Sequence, residues 1–322
     1  MSRVIVGVLR GGPSSEYSLS LKTGAAILGA LPEEEYETRD IFIDKRGLWH
    51  FRGLPTTPTH SLAQLDVVFN AVHGGPGEDG TIGRILDRAG VPYTGSRAVA
   101  SSIAFNKMRT HEIMRDAGIQ MPKAYSFTQS NRADTAQMAR AVFSKFGPPY
   151  MVKPPMDGAA AGVQYVPTLI DLPDAIGDVM DAYGAALVEE YIRGKQASVG
   201  LIEEFRNENL YALPPAEVRP PEGSRHVEFH MHDNALLKHH VPSAFSDYEK
   251  NHLIDVARKA HRALGLSHFS RADLIVAPHG VYLLEVNSIP GLYPGASYPL
   301  MLESVGSSIA EFLRHSINLA RA

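Results

Sequence analysis

The sequence predicts an α/β protein with three domains, and three observations carry that expectation. Residues up to about 100 alternate strand, loop and helix, the pattern of a parallel, Rossmann-like sheet. The 322 residues are 44% hydrophobic and 20% charged, enough for two or three separate cores. Near the end, "RADLIVAPHGVYLLEVN" reads as a hairpin that is apolar on both faces, as expected of a covered sheet. The boundaries predicted are 1–100, 101–187 and 188–322.

In the first domain "VIVGVL" is a buried strand, "RGGPSSEYS" a loop, and an apolar-periodic helix runs to about Leu31. Strands follow at "RDIFID" and "LDVVFNAVH", and the glycine-rich "GGPGEDGTIGRILDRAG" opens a helix. Ligands in such sheets collect outside the carboxyl ends of the strands, where both glycine-rich loops emerge. The second domain starts with the helix "FNKMRTHEIMRDAG", stopped by Gly118 and Pro122. It continues with a strand at "AYSF", a helix over 131–146, strands "YMVKPP" and "GVQYVP" around "MDGAAAG", a helix over 171–183 and the strand "AALVEEYI". The third domain holds strands at "SVGLIEEF" and "LYALPPAEV", a His-rich loop over 222–242, a helix at "DYEKNHLIDVARKAHRALG", the hairpin and a C-terminal helix.

The formal net charge is -4, which gives no broad pull toward nucleic acid or a membrane surface. There are no cysteines, so disulfides and thiolate metal sites are excluded. "VIVGVL" is too short for a signal-peptide core and no apolar run is long enough to span a bilayer; a soluble, cytoplasmic chain is expected.

The chemistry concentrates in the hairpin. Folding it about His279 pairs Asp273 with Glu285 and Arg271 with Asn287, all on one face and about 5 Å apart between Cβ atoms. Two facing carboxylates in an apolar hairpin repel unless a cation neutralises them. With the Asn287 amide they make a hard, all-oxygen set suited to Mg²⁺, which shares its coordination with substrate phosphates. Arg271 then serves as a fixed cation for a carboxylate, phosphate or oxyanion. Lys153 sits beside the small loop Gly158–Gly162, whose backbone could approach a polyphosphate closely. It is not a Walker loop. Lys107 opens a helix, where a solvated lysine is the plain alternative, and Glu189 ends a strand, where it could accept from an adenine amino group. Glu16 could bind a substrate ammonium and His73 could orient or relay protons. Glu78 and Asp79 read as capping groups. His226, His230, His232, His239 and His240 fit no metal spacing and read as a mobile polar loop rather than a zinc site.

With these residues in place, the chain resembles the D-alanine–D-alanine ligases of the ATP-grasp superfamily. The resemblance runs through "GGPSSEYSLSLKTG", "NAVHGGPGEDGTIGRILDRAGVPYTGS", "NKMRTHEIMRDAGI", "VKP", "VEEYIRG", "RADLIV" and "LLEVNSIPGL", in order, over nearly the whole length. It implies the three-domain ATP-grasp architecture and peptidoglycan-precursor synthesis through an acyl phosphate. Glu16 and His73 would then hold the first D-alanine. Lys107, Lys153 and the loop at Gly158 would contact the nucleotide phosphates. Glu189 and the backbone near Ile192 would read adenine. Asp273, Glu285 and Asn287 would ligate two Mg²⁺ ions, with Mn²⁺ able to substitute. Arg271 and the N–H of Gly291 would hold the tetrahedral oxyanion. A homodimer is implied as well.

The chain departs from the family pattern at four places, one of them "PGLYPGASYP" near the second-substrate carboxylate. Ala159 stands where a loop serine is usual, Met231-His232 where a Lys-Tyr pair is usual, and Gln196 where an acid usually holds the ribose. Ser297 is the residue matched to the second-substrate carboxylate. The alternatives these raise are the same chemistry on D-lactate, D-serine or another amino acid, with His232 at the acceptor, or an ATP-binding homologue without ligase activity.

Overall fold

A computed structural model of the chain describes residues 3–224, Met231 and residues 236–322. His226, His230 and His232 lie outside the described residues. Its strands form three sheets.

The first sheet has the order β4-β3-β2-β1-β5. Strands β1 (Val4–Gly11), β2 (Tyr36–Ile43) and β5 (Val67–Asn70) are parallel, with helix α1 (Tyr17–Ala30) as the crossover from β1 to β2. The short strands β3 (Trp49–Phe51) and β4 (Leu54–Thr56) add an antiparallel edge. They escape a periodicity reading because three residues cannot display one. Strand β1 lies between β2 and β5, so the connections leave it in opposite directions and open a crevice at its carboxyl end. Into that crevice run the loop before α1 and the loop before α3 (Thr81–Ala89).

The second sheet, β6-β9-β7-β8, is antiparallel. It comprises β6 (Ala124–Thr128), β7 (Tyr150–Lys153), β8 (Gln164–Val166) and β9 (Ala185–Glu190). Helices α6 (Thr135–Phe143) and α7 (Leu172–Tyr183) bury Val142, Leu172 and Ile176 against Tyr150, Val152 and Val188. Each such side chain contributes about 2 kcal/mol of transfer free energy. Strand β9 runs past the boundary drawn from sequence at residue 187.

The third sheet follows β13-β12-β10-β14-β15, with β11 also paired to β10. Its strands are β10 (Lys195–Phe205), β11 (Glu208–Ala212), β12 (Ala216–Arg219), β13 (Lys238–His240), β14 (Phe269–Ala277) and β15 (Gly280–Asn287). The single strand expected at "LYALPPAEV" is two, because Pro214 and Pro215 supply no N–H to a ladder. His239 and His240 belong to β13, so the expected polar loop is part strand. Helices α4 (Ala98–Phe105), α5 (Lys107–Asp116) and α8 (Asp247–Ala263) cover one face. Ser246 and Glu249 close a capping box at the start of α8.

The C-terminal helix is also two, α9 (Ser297–Ser304) and α10 (Ile309–Arg321). They pack the third sheet onto the first: Phe269 stacks on Phe69 at 6.1 Å and meets Phe312 at 5.2 Å. Val6, Phe69, Phe269 and Phe312 therefore share one core, which fixes the hairpin relative to the crevice of the first sheet.

The hairpin pairs Asp273 with Glu285 and Arg271 with Asn287, as counting about His279 predicts, but by a different route. Its turn closes on Ala277 and Gly280, a register that continued unbroken would set Asp273 opposite Leu284. An irregularity between Asp273 and Leu274 shifts the ladder by one residue. A bulge of this kind re-aims side chains, and here it turns Glu285 to the face of Asp273.

Candidate active site

The three sheets meet around a cavity of about 580 Å³. Glu16, His73, Lys107, Lys153, Glu189, Ile192, Gln196, Arg271, Asp273, Glu285, Asn287, Gly291 and Ser297 all line it. Gly158 sits at its edge against Glu16.

On the hairpin wall each acid has a counter-charge. The Arg271 guanidinium donates from Nε and Nη2 to the two oxygens of Asp273, at 3.0 and 2.8 Å. Asn287 Nδ2 and Ser198 Oγ also donate to Asp273, at 3.0 and 2.6 Å. Lys107 Nζ lies 3.3 Å from Glu285 Oε2. Despite burial, Lys107, Lys153 and Arg271 hold the Glu285 carboxyl below its usual range. Arg271 itself is raised above its ordinary value: Asp273 and Glu285 outweigh the burial that opposes its charge.

At the far end of the cavity, Lys153 Nζ donates to Glu189 Oε2 at 2.6 Å, and His111 Nε2 lies 2.7 Å from Oε1. Burial would raise Glu189, but Lys153 and His111 bring it down to about 2. His111 stands four residues after Lys107 on α5, the spacing that puts both on one helix face. That spacing is a signal the sequence reading left unused.

The crevice of the first sheet is different. Glu16 precedes α1 and is buried, and its Oε2 has no hydrogen-bond partner. Burial, then the fields of Glu78, Glu285 and Asp157, push its carboxyl up to about 8. The backbone crowds that oxygen: a Cβ on Gly158 would fall 2.0 Å from Oε2, and one on Gly74 2.6 Å from it. A side chain at either position would displace the Glu16 carboxyl, and Gly74, at φ of 65°, also holds a backbone conformation that favours glycine. His73 is pulled down to about 4 by burial and by Arg271, against a hydrogen bond to the Ile289 backbone. It is a neutral imidazole at physiological pH. Thr23 Oγ1 lies 2.7 Å from His73 Nε2 and accepts the Leu292 N–H at 3.3 Å. Thr23 thus ties α1 and the first-sheet loop to the segment that carries Gly291.

Asp79 caps as expected, accepting from the Thr81 N–H at 2.8 Å. Glu78 does not cap a helix. It is buried, accepts from the Gly74 N–H at 2.9 Å and the Ser288 hydroxyl at 3.3 Å, and is raised by burial. The reason is that the loop turns inward at Gly74–Gly77. Thr23, Ser198 and Glu78 were not read from sequence as site residues; each joins the site through partners distant in sequence.

The donor set fits a hard divalent ion that also takes phosphate oxygens: Asp273 and Glu285 face one another, with the Asn287 amide beside them. Among the described residues no group of three or more His, Asp or Glu could hold a metal unaided.

The family model described as D-ala D-ala ligase C-terminus matches residues 113–318, and that described as D-ala D-ala ligase N-terminus matches residues 50–96. The chain is 33% identical over 318 residues to a D-alanine–D-alanine ligase of Desulforudis audaxviator (strain MP104C), covering 98% of each chain. It is 30% identical to a D-alanine–D-alanine ligase of Carboxydothermus hydrogenoformans, covering 98% of this chain and 97% of that one. Among solved structures, the VanG D-Ala:D-Ser ligase from Enterococcus faecalis superposes with a TM-score of 0.85 at 25% identity, over 99% of this chain and all of that one. D-alanyl-alanine synthetase A from Vibrio cholerae gives the same TM-score and identity, over 100% and 99% of the two chains.

Proposed function

The chain belongs to the D-alanine–D-alanine ligase family, with its ATP-grasp fold, and on that premise we propose that it joins two D-alanines at the expense of ATP, for peptidoglycan precursors. The observation that carries this reading is the convergence of Glu16, Lys107, Lys153, Arg271, Asp273 and Glu285 on one cavity. The named relatives favour D-alanine as acceptor over D-lactate or D-serine, and a ligase over a nucleotide-binding homologue without activity.

The orphan oxygen of Glu16 suits the ammonium of the first D-alanine, and neutral His73, held by Thr23, steers its carboxylate toward the nucleotide. That carboxylate attacks the γ-phosphorus, the bond to the bridging oxygen breaks, and ADP and an acyl phosphate result. Lys107 and Lys153 exchange Glu285 and Glu189 for phosphate oxygens as the nucleotide enters, so no lysine charge is stranded. Glu189, released, accepts from the adenine amino group beside the backbone of Ile192. Gln196 takes the place of the ribose-binding acid. Divalent cations, which we assign as two Mg²⁺ ions with Mn²⁺ able to substitute, would be held by Asp273, Glu285 and Asn287 and would neutralise the phosphates. The second amine attacks the acyl carbon, while Arg271 and the Gly291 N–H donate to the oxyanion before phosphate leaves. Ser297, the first residue of α9, faces the second substrate's carboxylate.

We read the three sheets as three domains, and the chain as a cytoplasmic homodimer, as the family resemblance implies. Among the described residues no helix is long and apolar enough to cross a membrane. Incubation with ATP, Mg²⁺ and D-alanine should yield ADP, phosphate and dipeptide in equal amounts. Absence of D-alanine-dependent ADP would overturn the reading.

A further inference from the structure

Residues 156–162 connect β7 to β8 over the mouth of the first-sheet crevice. The segment Gly158–Gly162 is all glycine and alanine and offers no side-chain hydroxyl, so it has little with which to anchor itself. Ala159 and Ala160 adopt φ of 49° and 60°, a left-handed turn closed by the Ala161 N–H on the Gly158 carbonyl at 3.0 Å, a bond that ties the segment to itself and not to its neighbours. The hold comes at Asp157, from two directions. On one side is α5: the Lys107 N–H donates to the Pro155 carbonyl at 2.9 Å, and Lys107 Nζ to the Asp157 carbonyl at 2.6 Å. On the other is the loop after β1, where Ser15 Oγ donates to Asp157 Oδ1 at 2.6 Å. The same oxygen accepts the Gly158 N–H at 2.8 Å, which fixes the carboxylate relative to the next residue. That next residue is the glycine pressed against Glu16.

The position of Gly158 over the buried Glu16 carboxylate is therefore set by where Asp157 is held. We propose that Ser15 and Asp157 form a latch: both are positioning residues that keep the alanine loop closed over the first-substrate subsite. The proposal rests on the ligase reading above. The latch spans 142 residues of sequence and joins the first sheet's loop to the second sheet's. It supplies in this chain the closure that Ala159, lacking a hydroxyl, cannot supply.

Closure matters because the acyl phosphate is open to water. If the loop lifts, a water oxygen bonds to the acyl carbon and the carbon–oxygen bond to phosphate breaks. Inorganic phosphate leaves, the water's proton passes to solvent, and D-alanine is regenerated. The net reaction is ATP hydrolysis without dipeptide. A residue that only supported the fold would lower the amount of active enzyme and leave the ratio of ADP to dipeptide unchanged.

The test measures ADP and dipeptide in the same reaction for the wild type, Ser15→Ala, Asp157→Ala, Asp157→Asn and the Ser15→Ala/Asp157→Ala pair. Wild type should give close to one ADP per dipeptide. Each alanine variant should raise the excess of ADP over dipeptide roughly fivefold above the wild-type excess, the value of one such hydrogen bond. Asp157→Asn, which keeps an acceptor oxygen, should stay near wild type, and the double variant should be no worse than the worse single. Ser15 is exposed, so its truncation leaves the fold intact. Alanine variants that stay at one ADP per dipeptide, or whose effects multiply, would overturn the latch. A wild type that forms no dipeptide would overturn the ligase reading and the latch with it.

Discussion

Along the hairpin wall and at the far end of the cavity, Asp273 is held by Arg271, Glu285 by Lys107, and Glu189 by Lys153 and His111. At the crevice of the first sheet, Glu16 is buried with an oxygen that nothing holds. The two regions handle the same problem, a carboxylate out of water, in opposite ways. Where the ligand brings both signs of charge, as a metal nucleotide does, the protein pre-pairs its own groups and exchanges partners on binding. Where the ligand brings one cation, an ammonium, the protein leaves a carboxylate waiting. The first arrangement leaves no charge stranded before any ligand arrives; the second costs stability and gives affinity.

Breaking one of the pre-formed pairs should cost most. Lys153→Met leaves buried Glu189 with His111 alone. Unfolding in urea should show a loss of about 3 kcal/mol, and turnover should fall by roughly 100-fold or more as a phosphate contact is lost. A variant as stable as wild type would show that the pair does not carry the charge balance described above.

At the other end, Glu16→Gln should reverse the sign on stability. The amide stays neutral where the buried carboxyl strands a charge once its proton is lost, so the melting temperature should hold below a pH of about 8 and exceed wild type above it. KM for the first D-alanine should increase by about 100-fold, from the loss of a buried ammonium–carboxylate pair. The pH dependence sharpens this contrast. The Glu16 carboxyl is raised from 4.5 to about 8 by burial, so across that window the folded chain keeps a proton that the unfolded chain releases. Stability without ligand should be highest below the window and fall as pH rises through it. Glu78, also raised, adds in the same direction. Thermal melts in Glu16→Gln should show a flatter pH profile; an unchanged slope would contradict the assignment.

The smallest effect is expected at the joint between the regions. Thr23→Val removes the hydroxyl shared by His73 and the Leu292 N–H. We expect kcat/KM to drop roughly fivefold to tenfold, with the loss in KM for D-alanine rather than in ATP binding.

The same contrast explains what the sequence could and could not reveal. The paired acids of the hairpin are legible because strand periodicity and a count across one turn place Asp273 opposite Glu285. The count succeeds although the turn is tighter than it supposes, since the bulge restores the register. Lys153 is legible as a basic group in an apolar strand and Lys107 only through the family resemblance; the partners of both are not. Ser198 reaches Asp273 through the pairing of β10 with β14, and Thr23 reaches His73 through packing of α1 against the first-sheet loop. No local pattern encodes those contacts. Glu78 looks like a cap in sequence and is buried because the glycine turn before it folds inward. Pro214 and Pro215 could have divided the "LYALPPAEV" strand on their own chemistry.

The central claim is that Asp273 and Glu285 face one another to hold a divalent cation jointly with a nucleotide. Mn²⁺ titration followed by electron paramagnetic resonance, with and without a non-hydrolysable ATP analogue, tests it without relying on turnover. Few protein ligands and lysine-bound carboxylates predict weak Mn²⁺ binding alone and strong binding with the analogue, lost in Asp273→Asn. Tight binding without nucleotide, or nucleotide-dependent binding that survives Asp273→Asn, would contradict it.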